Sequence, residues 1–282
     1  MNKQARTRVA WETMDILTNG SYVNSRKETI SIRPALQYAA DNTVLYRPED
    51  FEMVYRQRDQ SPAQEPGVIE VTGESTFAAA YRLIVAEKQK DVCCLNFASA
   101  KNPGGGFLSG AHAQEEALAR ASGLYTCLQR KVEMYQINRN DGSCLYTDHM
   151  IYSPLVPVFR NDAGKLLDDY YTVSVITAPA VNAGAVKDNE PANVHRIDTV
   201  MASRMEKLLS VAVAQGQTTI ILGAWGCGVF RNDKAAVAGG FASLLNSDKF
   251  RHRFTKIVFA VYDNTTGQET IRTFKNKLTH DL

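Results

Sequence analysis

Two adjacent carboxylates, Glu115 and Glu116, stand where a glycine-rich loop runs into a predicted helix. The loop follows a short apolar run at residues 92–97 and contains three consecutive glycines at residues 104–106. Strand, glycine loop and helix start together are typical of a phosphate site, because backbone N–H groups and the helix N-terminus favour an anion. A carboxylate pair beside a phosphate indicates catalysis more than simple binding. Ordinary helix chemistry is the alternative, since Glu in a first turn complements the helix dipole.

A second glycine-rich loop has the same design. Residues 218–222 (TTIIL) predict a buried strand, and residues 223–230 (GAWGCGVF) follow it directly. In an open α/β sheet such loops gather at the carboxyl edge of the strands, where ligands bind. Two loops favour a diphosphate with one loop on each side, and a tight structural turn is the alternative for the second loop. Neither loop fits the P-loop pattern or the dinucleotide fingerprint.

Strands and helices alternate from residue 68 onward, which predicts α/β layering. The chain is predicted as residues 1–66, an N-terminal extension packed on the core, and residues 67–282, the core itself, forming one structural unit. Besides the two strands before the glycine loops, the patterns predict strands at residues 68–71, 171–178 and 257–261 and helices at residues 4–17, 76–89, 114–132, 192–215 and 265–278. Residues 135–148 and 179–188 are predicted as loops.

Composition narrows the function classes. The 282 residues are 44% hydrophobic and 22% charged with a net charge of +2, which argues against a dedicated DNA or RNA surface but not against a small anionic substrate. Five cysteines in no paired pattern indicate a reducing compartment, and no CxxC or HxxxH suggests a metal. No signal-peptide pattern and no membrane-length apolar run are present, so a cytoplasmic protein without membrane contact is expected.

The spacing of Gly104-Gly105-Gly106, seven residues, then QEE at residues 114–116 resembles the GGG–x(6–8)–QEE signature of poly(ADP-ribose) glycohydrolases. The runs NFASAKNPGGGF and GAWGCGVFRND and the N-terminal helix are similar to the short microbial type of that family. The resemblance covers most of the chain. It implies a macrodomain-like three-layer α/β/α fold with a mixed six-stranded central sheet and an N-terminal helical extension. ADP-ribose would lie in a cleft at the strand ends, and no cofactor or metal is implied.

The resemblance also implies an activity, the hydrolysis of ribose–ribose O-glycosidic bonds with release of ADP-ribose. Poly(ADP-ribose) or ADP-ribosylated protein would be the substrate. Glu116 would protonate the leaving hydroxyl and then activate water, Glu115 would hold ribose hydroxyls, and Gln114 would position the loop or the ribose. A hydrolase of single ADP-ribose units and a non-catalytic ADP-ribose-binding module remain as alternatives. The carboxylate pair disfavours the binding module, because an anion gains nothing from two nearby negative charges.

Further substrate contacts are predicted in both loops. Backbone N–H groups would hold the diphosphate, those of residues 104–106 on one side and those of Gly226, Cys227, Gly228 and Val229 on the other. Phe230 would pack against the terminal ribose, or would be a core aromatic. Ser99 and Asn102 would bond to the same ribose, or would be turn residues. Glu74 would contact adenine, or would cap the following helix.

Overall fold

The computed structural model describes residues 1–279. The helices, in chain order, are α1 (Lys3–Asn19), α2 (Arg33–Asp41), α3 (Phe51–Gln60), α4 (Thr76–Tyr81), α5 (Gln114–Ala121), α6 (Leu124–Gln129), α7 (Glu133–Asn140), α8 (Ala183–Asn189), α9 (Ile197–Ala214), α10 (Lys234–Leu245) and α11 (Glu269–Thr279). The strands are β1 (Ser21–Val23), β2 (Thr29–Ser31), β3 (Val44–Tyr46), β4 (Val68–Thr72), β5 (Val92–Phe97), β6 (Met150–Arg160), β7 (Leu166–Ala178), β8 (Thr219–Leu222) and β9 (Lys256–Ala260).

Seven of these strands form one mixed sheet in the order β3-β6-β7-β5-β8-β9-β4. The strands β7, β5, β8, β9 and β4 run parallel, and β6 is antiparallel to both of its neighbours. The strand β5 therefore lies at the centre of the sheet. Its carboxyl end meets those of the other parallel strands at one edge, which is where both glycine loops leave the sheet.

Helices cover both faces of the sheet. Cys93 and Leu95 of β5 belong to a core shared with α3, α8, α9, α10 and α11, whereas Val92 and Cys94 belong to a core shared with α2, α4, α5, α6 and α7. Successive side chains of a strand point to opposite faces, so the apolar run in β5 supplies both cores. The predicted three-layer α/β/α fold with a mixed central sheet is confirmed.

The sheet has one strand more than the family resemblance implied. The additional strand is β3, which lies at the edge and pairs antiparallel with β6 from Val44↔Tyr152 to Tyr46↔Met150. The chain before residue 67 thus supplies a strand to the main sheet as well as helices. The boundary at residue 66 stays a prediction.

The predicted helix at residues 114–132 is wrong in its length. The chain leaves helical geometry at Ser122, whose backbone is extended (φ −149°, ψ 176°) and bridges Val158, and the Gly123 N–H donates to Pro157 O at 2.8 Å. These contacts with β6 divide the segment into α5 and α6. The helix periodicity of the sequence does not contain such a long-range contact.

Two segments predicted as loops contain helices. Within residues 135–148, helix α7 reaches Asn140 and buries Met134 and Tyr135 against the sheet. Within residues 179–188, helix α8 begins after Asn182, whose side chain accepts the Ala185 N–H at 3.0 Å. Polar residues dominate both segments, and the few buried side chains decide the structure.

Within residues 1–279, none of the helices combines the length and the apolar character that crossing a membrane requires.

Candidate active site

A cavity of about 780 Å³ opens at the carboxyl edge of the sheet, a volume in the usual range for small-molecule sites. Its wall includes Ser75 after β4, Ser99 after β5, Trp225 after β8 and Tyr262 after β9. Both predicted catalytic glutamates line the same wall. The cavity therefore lies where the sequence predicted a ligand site.

Gln114 fixes the start of α5 to the end of β5. Its Oε1 accepts the Phe97 N–H at 2.8 Å, and its Nε2 donates to Leu95 O at 2.8 Å and to Thr76 Oγ1 at 3.0 Å. Both amide hydrogens are used inside the protein. Of its two suggested roles, these hydrogen bonds favour positioning of the loop over contact with ribose.

The carboxyl group of Glu115 is buried beneath the first loop, and the residue is 3% exposed. Its Oε2 accepts the Ser99 N–H at 2.6 Å, and Asn96 Nδ2 donates to Oε1 at 3.3 Å. Burial raises the pKa of Glu115 to about 8, against the lowering effect of these hydrogen bonds, and the charge of Glu116 adds a further rise. Glu115 is therefore mainly protonated at neutral pH.

Glu116 is half-buried and turns back toward the loop. Its Oε1 accepts the Gly106 N–H at 3.1 Å, and its Oε2 accepts the N–H of Ala113, the residue before α5, at 3.0 Å. The second contact is one half of a capping box. The side chain is thus held across the helix start, with one face on the cavity.

The two carboxyl groups converge, although consecutive side chains in a regular helix diverge by about 100°. A Cβ placed on Gly105 would lie 2.3 Å from Glu116 Oε1 and 3.2 Å from Glu115 Oε2. Both groups therefore border the same point beside the loop, as the placement at the loop–helix junction requires. Gly105 has a φ of +58°, so the absence of a side chain and the backbone conformation both favour glycine here.

The triple glycine contacts the protein's own groups. The Gly105 N–H donates to Asn102 O at 3.0 Å and the Gly106 N–H to Glu116, and none of the three glycines lines the cavity. This differs from the expectation that these N–H groups face a diphosphate. Ser99 lines the cavity, while its hydroxyl accepts the Asn102 N–H at 3.1 Å.

The second loop has its N–H groups open. Gly226, Gly228, Val229 and Phe230 line the cavity, and within residues 1–279 no acceptor is bonded to their backbone N–H groups. The buried Trp225 anchors this loop, because its Nε1 donates to Ala178 O at the end of β7 at 3.1 Å. Four open N–H groups on a fixed loop form an anion-binding concavity.

Phe230 and Cys227 follow this loop into the cavity wall. The Phe230 ring lies 5.9 Å from that of Tyr146 and packs against the core, so the residue joins core and cavity. Burial raises the pKa of Cys227 to about 12, which keeps the thiol protonated. This agrees with the expectation that Cys227 is not a nucleophile.

Three predicted or overlooked polar residues have different positions from those expected. Glu74 lies outside the cavity wall and pairs with Arg82, at 2.9 Å and 2.8 Å. Ser75, not Glu74, caps α4, by accepting the Ala78 N–H. Asn96, which contacts Glu115, was missed, although a polar residue within the apolar run of β5 was a usable signal. Among residues 1–279 no group of three or more His, Cys, Asp and Glu side chains could hold a metal ion.

Comparison with known proteins agrees with this geometry. The family described as microbial-type PARG, catalytic domain, where PARG is poly(ADP-ribose) glycohydrolase, matches residues 10–161. The crystal structure of PARG from Thermomonospora curvata is 44% identical, with a TM-score of 0.92, and covers 97% of this chain and 99% of its own.

The chain belongs to the microbial-type PARG family.

Two further PARG structures contain ligands. The T. curvata enzyme bound to the inhibitor ADP-HPD is 44% identical with a TM-score of 0.89, and covers 97% of this chain and 99% of its own. PARG from Deinococcus radiodurans in complex with ADP-ribose is 45% identical with a TM-score of 0.84, and covers 88% of this chain and 99% of its own. No curated protein matched.

The pKa of Glu115 predicts a pH-dependent stability. Its folded value of about 8 lies above its ordinary value of 4.5, so the folded protein keeps a proton that the unfolded chain loses between these pH values. Stability therefore falls as pH rises through that window. Glu115→Gln cannot ionise, so its stability relative to wild type should rise between pH 5 and pH 8.5, by roughly 4 kcal/mol at most.

Urea unfolding at several pH values measures this difference. Glu65→Gln is the matched control, because Glu65 is exposed and makes no side-chain hydrogen bond within residues 1–279. The control should follow wild type at every pH. A constant difference between Glu115→Gln and wild type across the window would contradict the assigned pKa.

Proposed function

We propose that the chain hydrolyses the ribose–ribose O-glycosidic bonds of poly(ADP-ribose) and releases ADP-ribose. The observation that carries the proposal is the convergence of two carboxyl groups on one point of a cavity whose opposite wall has four open N–H groups. Glycoside hydrolysis needs carboxyl groups beside an oxocarbenium-like centre, and a pyrophosphate needs fixed donors nearby. Membership of the PARG family supports the same substrate.

In the proposed reaction Glu116 is the catalytic acid and base. It gives its proton to the leaving ribose oxygen as the bond from that oxygen to the anomeric carbon breaks, and the bonding electrons stay with the oxygen. It then accepts a proton from the water that attacks the anomeric carbon. The products are ADP-ribose and a polymer shortened by the released part, and Glu116 regains its proton.

Glu115 is proposed to hold the reacting ribose. Protonated in its buried position, it has an O–H group that can donate to a ribose hydroxyl while its second oxygen accepts the Ser99 N–H. A carboxyl that stays neutral at pH 7 also has the property of a general acid. The greater exposure of Glu116 favours Glu116 for the contact with the scissile bond.

The diphosphate is proposed to lie on the second loop, with Phe230 beside the terminal ribose. Open N–H groups support this for Gly226, Gly228 and Val229. The triple glycine is proposed to act through the glutamates, because its N–H groups at 105 and 106 already donate inside the protein. The backbone donors supply fixed dipoles without adding a counter-charge.

Two other activities would use the same cavity, namely hydrolysis of a single ADP-ribose attached to protein and binding of ADP-ribose without turnover. Release of ADP-ribose from labelled poly(ADP-ribose), with mono-ADP-ribosylated protein as a parallel substrate, separates all three. For the compartment we propose the cytoplasm, supported by the absence of disulfides among all five cysteines.

Glu116→Gln should lower kcat on poly(ADP-ribose) by about 1,000-fold, because a positioned acid and base typically contributes 10²–10⁴-fold. Glu115→Gln should lower it only by about 10-fold, since Gln keeps an acceptor for the Ser99 N–H. Initial rates of ADP-ribose release measure both, with Glu65→Gln as the control. Undiminished release by Glu116→Gln would exclude its role, and a larger loss in Glu115→Gln would exchange the two roles.

Gly105→Ala should remove most of the activity, by about 100-fold or more, because its Cβ would displace the Glu116 carboxyl group. Gly142→Ala is the matched control: its φ is +75°, close to the +58° of Gly105, and its Cβ would meet nothing within 4 Å. Left-handed strain should cost both variants about 1 kcal/mol of stability. Equal activity of the two variants in the same assay would contradict the contact.

Gly228→Pro should weaken ADP-ribose binding by about 10-fold or more, because it removes one open N–H from the proposed diphosphate loop. Gly228→Ala keeps the N–H, and its Cβ meets nothing within 4 Å, so its affinity should stay within about twofold of wild type. Isothermal titration with ADP-ribose compares them. The same affinity for both variants would exclude this N–H from anion binding.

A further inference from the structure

One end of the cavity carries two arginines that the proposed reaction does not use. Arg6 of α1 and Arg120 of α5 both line the wall there, together with His112. Arg120 is 4% exposed and Arg6 is half-buried. The segment that leads from the triple glycine to the catalytic glutamates therefore lies beside two fixed positive charges.

Neither arginine has a carboxylate partner within 4.0 Å in the described part of the chain. Arg6 Nε donates to Gly110 O at 2.8 Å, and Arg120 Nη1 donates to Ala111 O at 2.7 Å. Carbonyl groups orient these side chains but do not neutralise them. A buried guanidinium without a counter-ion is costly to fold, so this end of the cavity lacks one component, an anion.

The surrounding groups do not supply that anion. Arg120 Nη2 lies 3.3 Å from His112 Nδ1, and burial together with the charges of Arg120 and Arg6 lowers the pKa of His112. Asp162, on the same wall, accepts a hydrogen bond from Ser75. Burial lowers the pKa of Arg120 as well, and the charge of Glu116 opposes that shift, so Arg120 lies within electrostatic reach of the proposed catalytic acid.

The position of this basic end relative to the second loop suggests its ligand. The open N–H groups for the released unit lie on residues 226–230, whereas Arg6 and Arg120 flank the segment before Glu116. In poly(ADP-ribose) the leaving ribose belongs to another ADP-ribose unit with its own diphosphate. Bidentate guanidinium groups are well suited to phosphate oxygens.

We propose that Arg6 and Arg120 form a subsite for the diphosphate of the ADP-ribose unit on the leaving side of the scissile bond. The inference rests on the proposed hydrolysis of poly(ADP-ribose) and adds a source of selectivity to it. A polymer places a second diphosphate in this end of the cavity, whereas ADP-ribose on an uncharged alcohol leaves the two arginines without an anion. The subsite therefore favours polymer over single ADP-ribose units.

The experiment compares two substrates with wild type and Arg6→Gln. One substrate is poly(ADP-ribose), and the other is the 4-nitrophenyl glycoside of ADP-ribose, whose leaving group has no phosphate. Arg6→Gln should lower the ratio of kcat/KM for polymer to kcat/KM for the glycoside by about 10-fold, mainly through a higher KM for polymer. Added salt should lower the wild-type ratio as well, because salt screens phosphate contacts. Arg6→Lys should recover part of the ratio.

Arg8→Gln is the matched control, since Arg8 is an exposed arginine of the same helix and does not line the cavity. It should leave the ratio unchanged. An unchanged ratio in Arg6→Gln, or an equal loss on both substrates, would overturn the subsite. No ADP-ribose release from polymer by wild type would instead overturn the proposed function, so the two failures are distinguishable.

Discussion

The burial of the Glu115 carboxyl group is the constraint on which the rest of the site depends. A carboxyl group with 3% exposure needs hydrogen bonds, and it receives them from the Ser99 N–H and from Asn96, both at the end of the central strand. This fixes where helix α5 begins relative to β5. Gln114 strengthens the same junction, and Glu116 then has no regular helical turn before it and folds back over Gly105.

That arrangement divides the work between the two glycine loops. The first loop uses glycine to let a carboxyl group approach its backbone within contact distance, and it donates its N–H groups to the glutamate. The second loop keeps its N–H groups open because a buried tryptophan, Trp225, and not its own backbone, holds it against the sheet. One glycine loop orients acids and the other is available to an anion. Placed together, they suit a substrate that joins a glycosidic bond to a diphosphate.

Sequence patterns were most reliable where a single local rule determined the structure. The apolar run of β5 was predicted with the observed bounds, and Asp233 caps α10 as its sequence position suggested. Patterns failed where a distant segment decided the outcome. The break between α5 and α6 depends on the contact of Ser122 with Val158 in β6, and β3 joins the main sheet only because β6 offers an edge. Neither partner is visible in a local window.

The sequence by itself determined the family signature, the two strand–glycine loop–helix units and the identity of the paired glutamates, since these follow from residue types at fixed short spacings. Only the tertiary structure decided how those groups act. It turned Glu115 and Glu116 toward one point, assigned Gln114 to the loop, and engaged the N–H groups of Gly105 and Gly106 inside the protein. It also brought Arg6, more than a hundred residues away, to the same cavity as Glu116. Burial, the pKa of Glu115 and the direction of a hydrogen bond depend on neighbours that folding brings together, and spacing along the chain does not contain them.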